Sequence, residues 1–192
     1  MARPQEFNVS EALHQAMEVF WQNGFEGTSL TDLLKAMGLS KSSLYAAFGG
    51  KHELFLAAFD AYREERAREM SRILGHAPAR EAIERFFRKI VADVEHSGAA
   101  RGCMSINQAV EMAPRDPEIR RRVFQDLALI EEALTRTIAR GQAEGSIKNP
   151  DEASKLARLL VLGFPGLQVM ARAGGGRERL NDALNLLLST LD

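Results

Sequence analysis

The sequence predicts an all-α protein of about nine helices, with a three-helix unit over residues 1–50 and a larger helical domain over 51–192. Three observations carry this reading. Ala, Leu, Glu and Arg dominate, and only six prolines occur in 192 residues, a balance that favours helix. Apolar residues recur at steps of three and four along most of the chain. No segment sustains the two-residue alternation with β-branched enrichment that marks a half-buried strand.

The first fifty residues hold three short helices. Asn8 with Glu11 three positions on is a capping-box-like start, and Ala12, Ala16, Val19 and Phe20 follow at helical spacing until Gly24 closes the helix. Thr28 and Ser29 begin a second helix that turns Leu30, Leu33 and Leu34 inward and stops at Gly38. Ser40 caps a third, with Leu44, Tyr45 and Phe48 expected on its inner side. Gly49-Gly50 breaks the pattern, and Lys51 opens a long helix expected to run to about residue 73.

Longer amphipathic helices follow. One spans about residues 79–96 and carries Ile83, Phe86, Phe87, Ile90 and Val94. A glycine-containing break over residues 97–102 precedes a short helix at about 104–112. Asp116-Pro117 is a cap followed by a first-turn proline. Behind it Ile119, Val123, Leu127, Ile130, Leu134 and Ile138 step by 4, 4, 3, 4 and 4, an unbroken helical stripe. Asn149-Pro150 with Glu152 is expected to start the next helix in the same way, to about residue 173. After Gly174-Gly175-Gly176 a final helix, about 178–191, holds Leu180, Leu184, Leu187, Leu188 and Leu191.

Composition narrows the function. One cysteine, Cys103, excludes an internal disulfide framework, and His14, His52, His76 and His96 are scattered without metal-ligand spacing. The N-terminal residues lack the apolar run of a signal peptide, and no apolar stretch is long enough to span a bilayer, so a cytoplasmic protein without a membrane partner is expected. No nucleophile–base pair or phosphate-binding loop stands out: Gly174–Gly176 lacks the strand and Lys-Ser/Thr of a P-loop. No enzyme and no cofactor are therefore expected. The formal charge of −1 gives no global sign of a nucleic-acid partner, so such binding must rest on local charge.

Local charge is what Leu33 to His52 provides, with three lysines and no carboxylate. Gly38-Leu39-Ser40 is a tight turn suited to a helix-turn-helix, whose second helix enters the major groove. Lys41, Ser42 and Ser43 occupy that helix's first turn, where side chains and free backbone N–H groups meet bases and phosphates.

The run Ala16-Met17-Glu18-Val19-Phe20, then Asn23-Gly24-Phe25-Glu26-Gly27-Thr28-Ser29, resembles the N-terminus of TetR-family transcriptional regulators. The match continues through Leu30-Thr31-Asp32-Leu33-Leu34-Lys35-Ala36-Met37-Gly38-Leu39-Ser40-Lys41 and is completed by Ser42, Ser43, Leu44, Tyr45, Phe48 and Lys51. The resemblance implies DNA contacts from Thr28, Ser29, Ser40, Lys41, Ser42, Ser43, Tyr45 and Lys51. Phe20, Leu44 and Phe48 look like the core of the unit. Three positions depart from the pattern: many relatives carry His or a large aromatic where this chain has Ala46 and Ala47, and Ser or Asn where it has Gly50. Specificity then falls more to Lys41, the serines and DNA shape.

The resemblance also implies a homodimer through the last two helices, double-stranded operator DNA as partner, and a small-molecule effector in the second domain. Candidate effector contacts are Phe86, Cys103, Met104, Ile106, Asn107, Glu111, Met112, Phe124 and Phe164; few ionisable groups punctuate them, which favours a largely apolar ligand. Cys103, beside Arg101 at a helix start, resembles a segment of one subgroup in which a cysteine senses electrophiles or oxidants. The function expected is a ligand-responsive repressor released from a palindromic operator. The alternatives are a helical carrier or sensor without DNA binding, and a thiol-based regulator acting through Cys103.

Overall fold

The computed structural model describes residues 8–75, 78–96 and 101–192, with the backbone alone for 93–96. The N-terminal segment through residue 7, residues 97–100 of the glycine-containing break, and the side chains of Val94 and His96 lie outside the described residues, as does His76. Among the described residues there are nine α-helices and no strand. They are α1 Val9–Asn23, α2 Leu30–Met37, α3 Lys41–Phe48, α4 Lys51–Gly75, α5 Ala79–His96, α6 Met104–Glu111, α7 Pro117–Glu144, α8 Ala153–Arg172 and α9 Arg177–Ser189.

The chain divides into two compact units, one through Glu65 and one from Arg66 to Asp192. The boundary thus falls inside α4 and not at Gly50. The reason is packing: Leu54, Phe55, Ala58, Phe59 and Tyr62 of α4 are all buried in the first unit with Ala12, Ala16, Met17 and Phe20 of α1, Leu33 of α2 and Leu44 of α3. Phe55 is the hub, its ring 5.0 Å from Phe20, 5.2 Å from Phe25 and 5.9 Å from Phe59, the first two edge-on. Trp21 meets Tyr62 edge-on at 5.0 Å.

Caps set where these helices begin. Asn8 Oδ1 accepts from the N–H groups of Ser10 and Glu11, while the Glu11 carboxylate accepts from the Gln15 amide, so only half of the expected box forms. At α2 the box is complete, between Ser29 and Asp32. Gly38 ends α2 with φ 65°, a left-handed conformation that suits glycine.

In the second unit α5, α7, α8 and α9 share one core, with Ile83, Phe87, Leu134, Ile138, Ala157, Leu160, Leu184 and Leu188 among its buried members. Two glycines let helices approach closely. A Cβ on Gly141 would lie 2.6 Å from Ile147 Cδ1 and 3.0 Å from Ala79, and one on Gly163 would lie 2.6 Å from Leu187 Cδ2. The Glu144 carboxylate accepts the first N–H of α5, from Ala79, at 2.6 Å, joining the end of α7 to the start of α5. That bond, with the Ser146 hydroxyl, holds the Glu144 carboxyl below its ordinary 4.5.

One expected start is corrected. Pro150 does not open α8, which begins at Ala153. Asn149 instead accepts the Asp151 N–H at 2.8 Å and donates to the Thr190 carbonyl at 2.8 Å, tying this loop to the end of α9. Among the described residues no helix is long and apolar enough to cross a membrane.

Candidate nucleic-acid interface

Three residues reverse the chain between α2 and α3. The N–H groups of Gly38 and Leu39 both reach back to the Leu34 carbonyl, and Ser40 then takes an extended conformation as the N-cap of α3. Ser40 Oγ accepts the Ser43 N–H at 3.1 Å and lies within hydrogen-bond distance of the Ser42 and Ser43 hydroxyls, at 2.9 and 2.8 Å. The start of α3 therefore presents three clustered hydroxyls at the positive end of a helix, with no acid in the first turn.

Burial orients α3. Leu44 is fully buried and Phe48 half-buried, whereas Lys41, Ser42, Tyr45, Ala46 and Ala47 are exposed. Tyr45 is thus corrected from the inner side of α3 to its solvent flank, 47% exposed, where it suits the backbone contact that the family resemblance implies. The Lys41 ammonium stands 6.0 Å from the centre of the Tyr45 ring, and the Lys51 ammonium 4.3 Å from that of Phe25. Gly50 is buried: a Cβ there would lie 2.8 Å from Glu53 Oε2 and 4.0 Å from Tyr45 Cε1.

Two expected DNA contacts are engaged within the protein, and one of them is buried. Thr28 is only 1% exposed, and its hydroxyl donates to the Gly24 carbonyl at 2.6 Å. It is a structural hydroxyl inside the turn after α1. Ser29 is at the surface, but its N–H and its hydroxyl both donate to Asp32 Oδ2, at 2.9 and 2.6 Å. Those bonds lower the pKa of Asp32, the hydroxyl bond most. Both Ser29 donors are thus engaged by a carboxylate of its own helix. The surface that remains is Ser40, Lys41, Ser42, Ser43 and Tyr45 on one short element, with Lys51 at the start of α4.

The effector candidates fall in the second unit. Phe86 and Phe164 stack at 6.0 Å, Cys103 is half-buried against the core that holds Phe164, and Met104 and Met112 are buried outside that cluster. Asn107 donates to the Arg101 carbonyl at 2.9 Å, a loop staple. Phe124 is corrected: at 69% exposed, it projects from α7 to solvent and joins no interior cluster. Sequence reasoning passed over Gln108, 1% exposed, whose amide donates to Glu111 at 2.8 Å and whose carbonyl oxygen has no partner among the described residues. It also passed over Ser105, which donates to Asp126 at 2.5 Å. Gln108 was legible, since it sits midway between the buried Met104 and Met112 at helical spacing, a polar residue within an apolar stripe. No group of three metal-ligating side chains occurs among the described residues.

Known proteins resemble this chain over its whole length. The family model for bacterial regulatory proteins of the tetR family matches residues 12–58, and that for the tetracyclin repressor-like C-terminal domain matches 79–187. The HTH-type transcriptional regulator YezE of Bacillus subtilis (strain 168) is 36% identical over 194 residues, covering 100% of each chain. The HTH-type transcriptional repressor ComR of Escherichia coli (strain K12) is 31% identical, over 93% of this chain and 86% of its own. Among solved structures, a cysteine mutant of the TetR-family regulator CifR, in complex with 26-bp double-stranded operator DNA, superposes with a TM-score of 0.86 at 31% identity, covering 99% of this chain and 100% of that one. The chain belongs to the TetR family of bacterial regulatory proteins and is a DNA-binding transcriptional regulator of the helix-turn-helix type.

Proposed function

We propose that the protein is a homodimeric repressor whose two α3 helices occupy successive major grooves of a palindromic operator, and that a small molecule bound in the second unit releases it. The observation that carries this is the α3 surface: an exposed, carboxylate-free face of Lys41, Ser42, Tyr45 and Ala46 set on buried Leu44. The related CifR forms a complex with double-stranded operator DNA, which supports DNA as the partner. One short helix reads few base pairs, so a two-fold partner that places a second α3 about 34–36 Å away supplies the missing contacts.

The partner face is argued from α8 and α9. Leu159, Leu162, Gly166 and Val169 are exposed at steps of 3, 4 and 3, with Met170 beside them, and Leu186 is 74% exposed on α9. An outward apolar stripe on each of two adjacent helices fits burial against a second copy in a four-helix arrangement. For the effector, Phe86, Phe164, Met104 and Met112 offer apolar contact, and the Gln108 carbonyl oxygen offers an acceptor. Because α4 contributes to both units, it is the element through which a ligand with unequal affinity for two states would change the spacing of the α3 helices.

Sedimentation of the free protein and electrophoretic mobility shifts on selected operators test the reading. A dimer that binds one duplex supports it, and a monomer or a protein indifferent to DNA sequence contradicts it.

A further inference from the structure

Ala46 occupies the point of α3 turned most directly away from the core. It lies two residues after buried Leu44 and two before half-buried Phe48, so at about 100° per residue it stands roughly 200° around the helix from each. Ser42 shares that outer edge four residues earlier, while Lys41 and Tyr45 flank it. Apart from Lys41 in its first turn, α3 contains none of the side chains that make paired hydrogen bonds to base edges, having no Arg, Asn, Gln, Asp or Glu. Its outermost group beyond the first turn is therefore a methyl.

We infer that Ala46 reads a thymine methyl, so that each operator half-site places an A·T pair under this residue. The inference rests on the DNA-binding reading above and adds base identity to it. In the major groove only thymine presents an apolar group; guanine N7 and O6, adenine N7 and N6, and cytosine N4 are polar. An alanine methyl pressed against one of those groups strips its water and returns no hydrogen bond, which is a net cost. Against the C5-methyl of thymine, the same approach buries apolar surface on both sides. The absence of any larger side chain at positions 46 and 47 allows the helix close enough for this contact.

The test removes only the methyl. Operators are selected from random duplexes with the full-length protein, and each thymine is then replaced by deoxyuridine in both half-sites together. At one thymine pair the affinity should fall by about fourfold per methyl, on the order of 15-fold for the symmetric pair. With Ala46→Gly the thymine-to-uracil ratio at that position should fall close to one. Because the ratio is taken within each variant, any loss of helix stability from glycine cancels; Ala46→Ser, which keeps the helix propensity closer to the parent's, should also reduce the ratio. A scan in which no thymine matters, a selected half-site without thymine, or a ratio unchanged by Ala46→Gly would each overturn the inference and leave the DNA-binding reading standing. Failure to enrich any sequence would overturn both.

Discussion

Ser29 gives both its backbone N–H and its hydroxyl proton to a single carboxylate oxygen of Asp32. This closes the capping box at α2 and engages a residue to which the family resemblance gives a DNA contact. Ser29→Ala is therefore expected to lower thermal stability while leaving operator affinity, measured well below the melting temperature, within about twofold of the parent. Thr28→Val removes a buried hydroxyl bonded to the Gly24 carbonyl and is expected to cost about 1 kcal/mol of stability, again with little change in affinity. A large loss of affinity in either variant would restore these hydroxyls to the interface.

Lys41 and Lys51 are expected to behave differently from those two. If each lysine neutralises one phosphate, Lys51→Ala removes two contacts from a dimer. The slope of log affinity against log salt should then become shallower by about 1.8, without a change in base preference. Lys41→Ala, at the start of α3, should reduce the slope and also relax the preference at one position of each half-site. Titrations at several salt concentrations measure both effects.

The apolar stripe on α8 and α9 predicts a self-association surface. Leu162→Glu combined with Leu186→Glu places charge at two positions already 77% and 74% exposed, so helix content should be retained. Sedimentation should show the monomer, and operator affinity should drop by at least tenfold because one α3 is left to bind alone. A stable dimer in this variant would move the interface elsewhere, the exposed Phe124 and Val110 being the next apolar positions to examine.

Acid should weaken the second unit through Glu144. Its carboxyl titrates below 4.5 in the folded chain because it accepts the Ala79 N–H and the Ser146 hydroxyl. A lowered folded value means that its contribution is present in full above about 4.5 and is lost as pH falls through the folded value. Melting temperatures from pH 7 down to pH 3 should therefore fall less steeply for Glu144→Gln than for the parent. Equal slopes would show that Glu144 does not contribute.

Much of the fold was legible because its signals are local. The α7 stripe from Ile119 to Ile138, the glycine stops at Gly24 and Gly38 and the Asp116 cap each depend on residues a few positions apart. What failed depended on distant partners or on how a turn closes. Asn149 reads as a cap until Thr190 supplies an acceptor for its amide, and Thr28 reads as a surface hydroxyl until the turn at Gly24 closes over it. The unit boundary within α4 was also hidden, since Phe55 and Phe59 serve the first unit through contacts with Phe20 and Phe25 that no local pattern reveals. At the interface, position along α3 placed Lys41 and Ser42 at the surface, whereas the apolar spacing that put Tyr45 inside conflicted with the contact the family resemblance implied, and its exposure favours the latter.

The proposed repressor function requires α3 to dock on a two-fold operator. Selection from random duplex DNA, followed by affinity measurement for the parent and for a Lys41→Ala, Tyr45→Ala double variant, tests it most directly. An enriched palindrome is expected, with half-site centres about one helical turn apart or a multiple of it, bound by the dimer. The double variant should stay folded and dimeric while its affinity falls by at least tenfold. An absence of enrichment, or a double variant that binds like the parent, would contradict it.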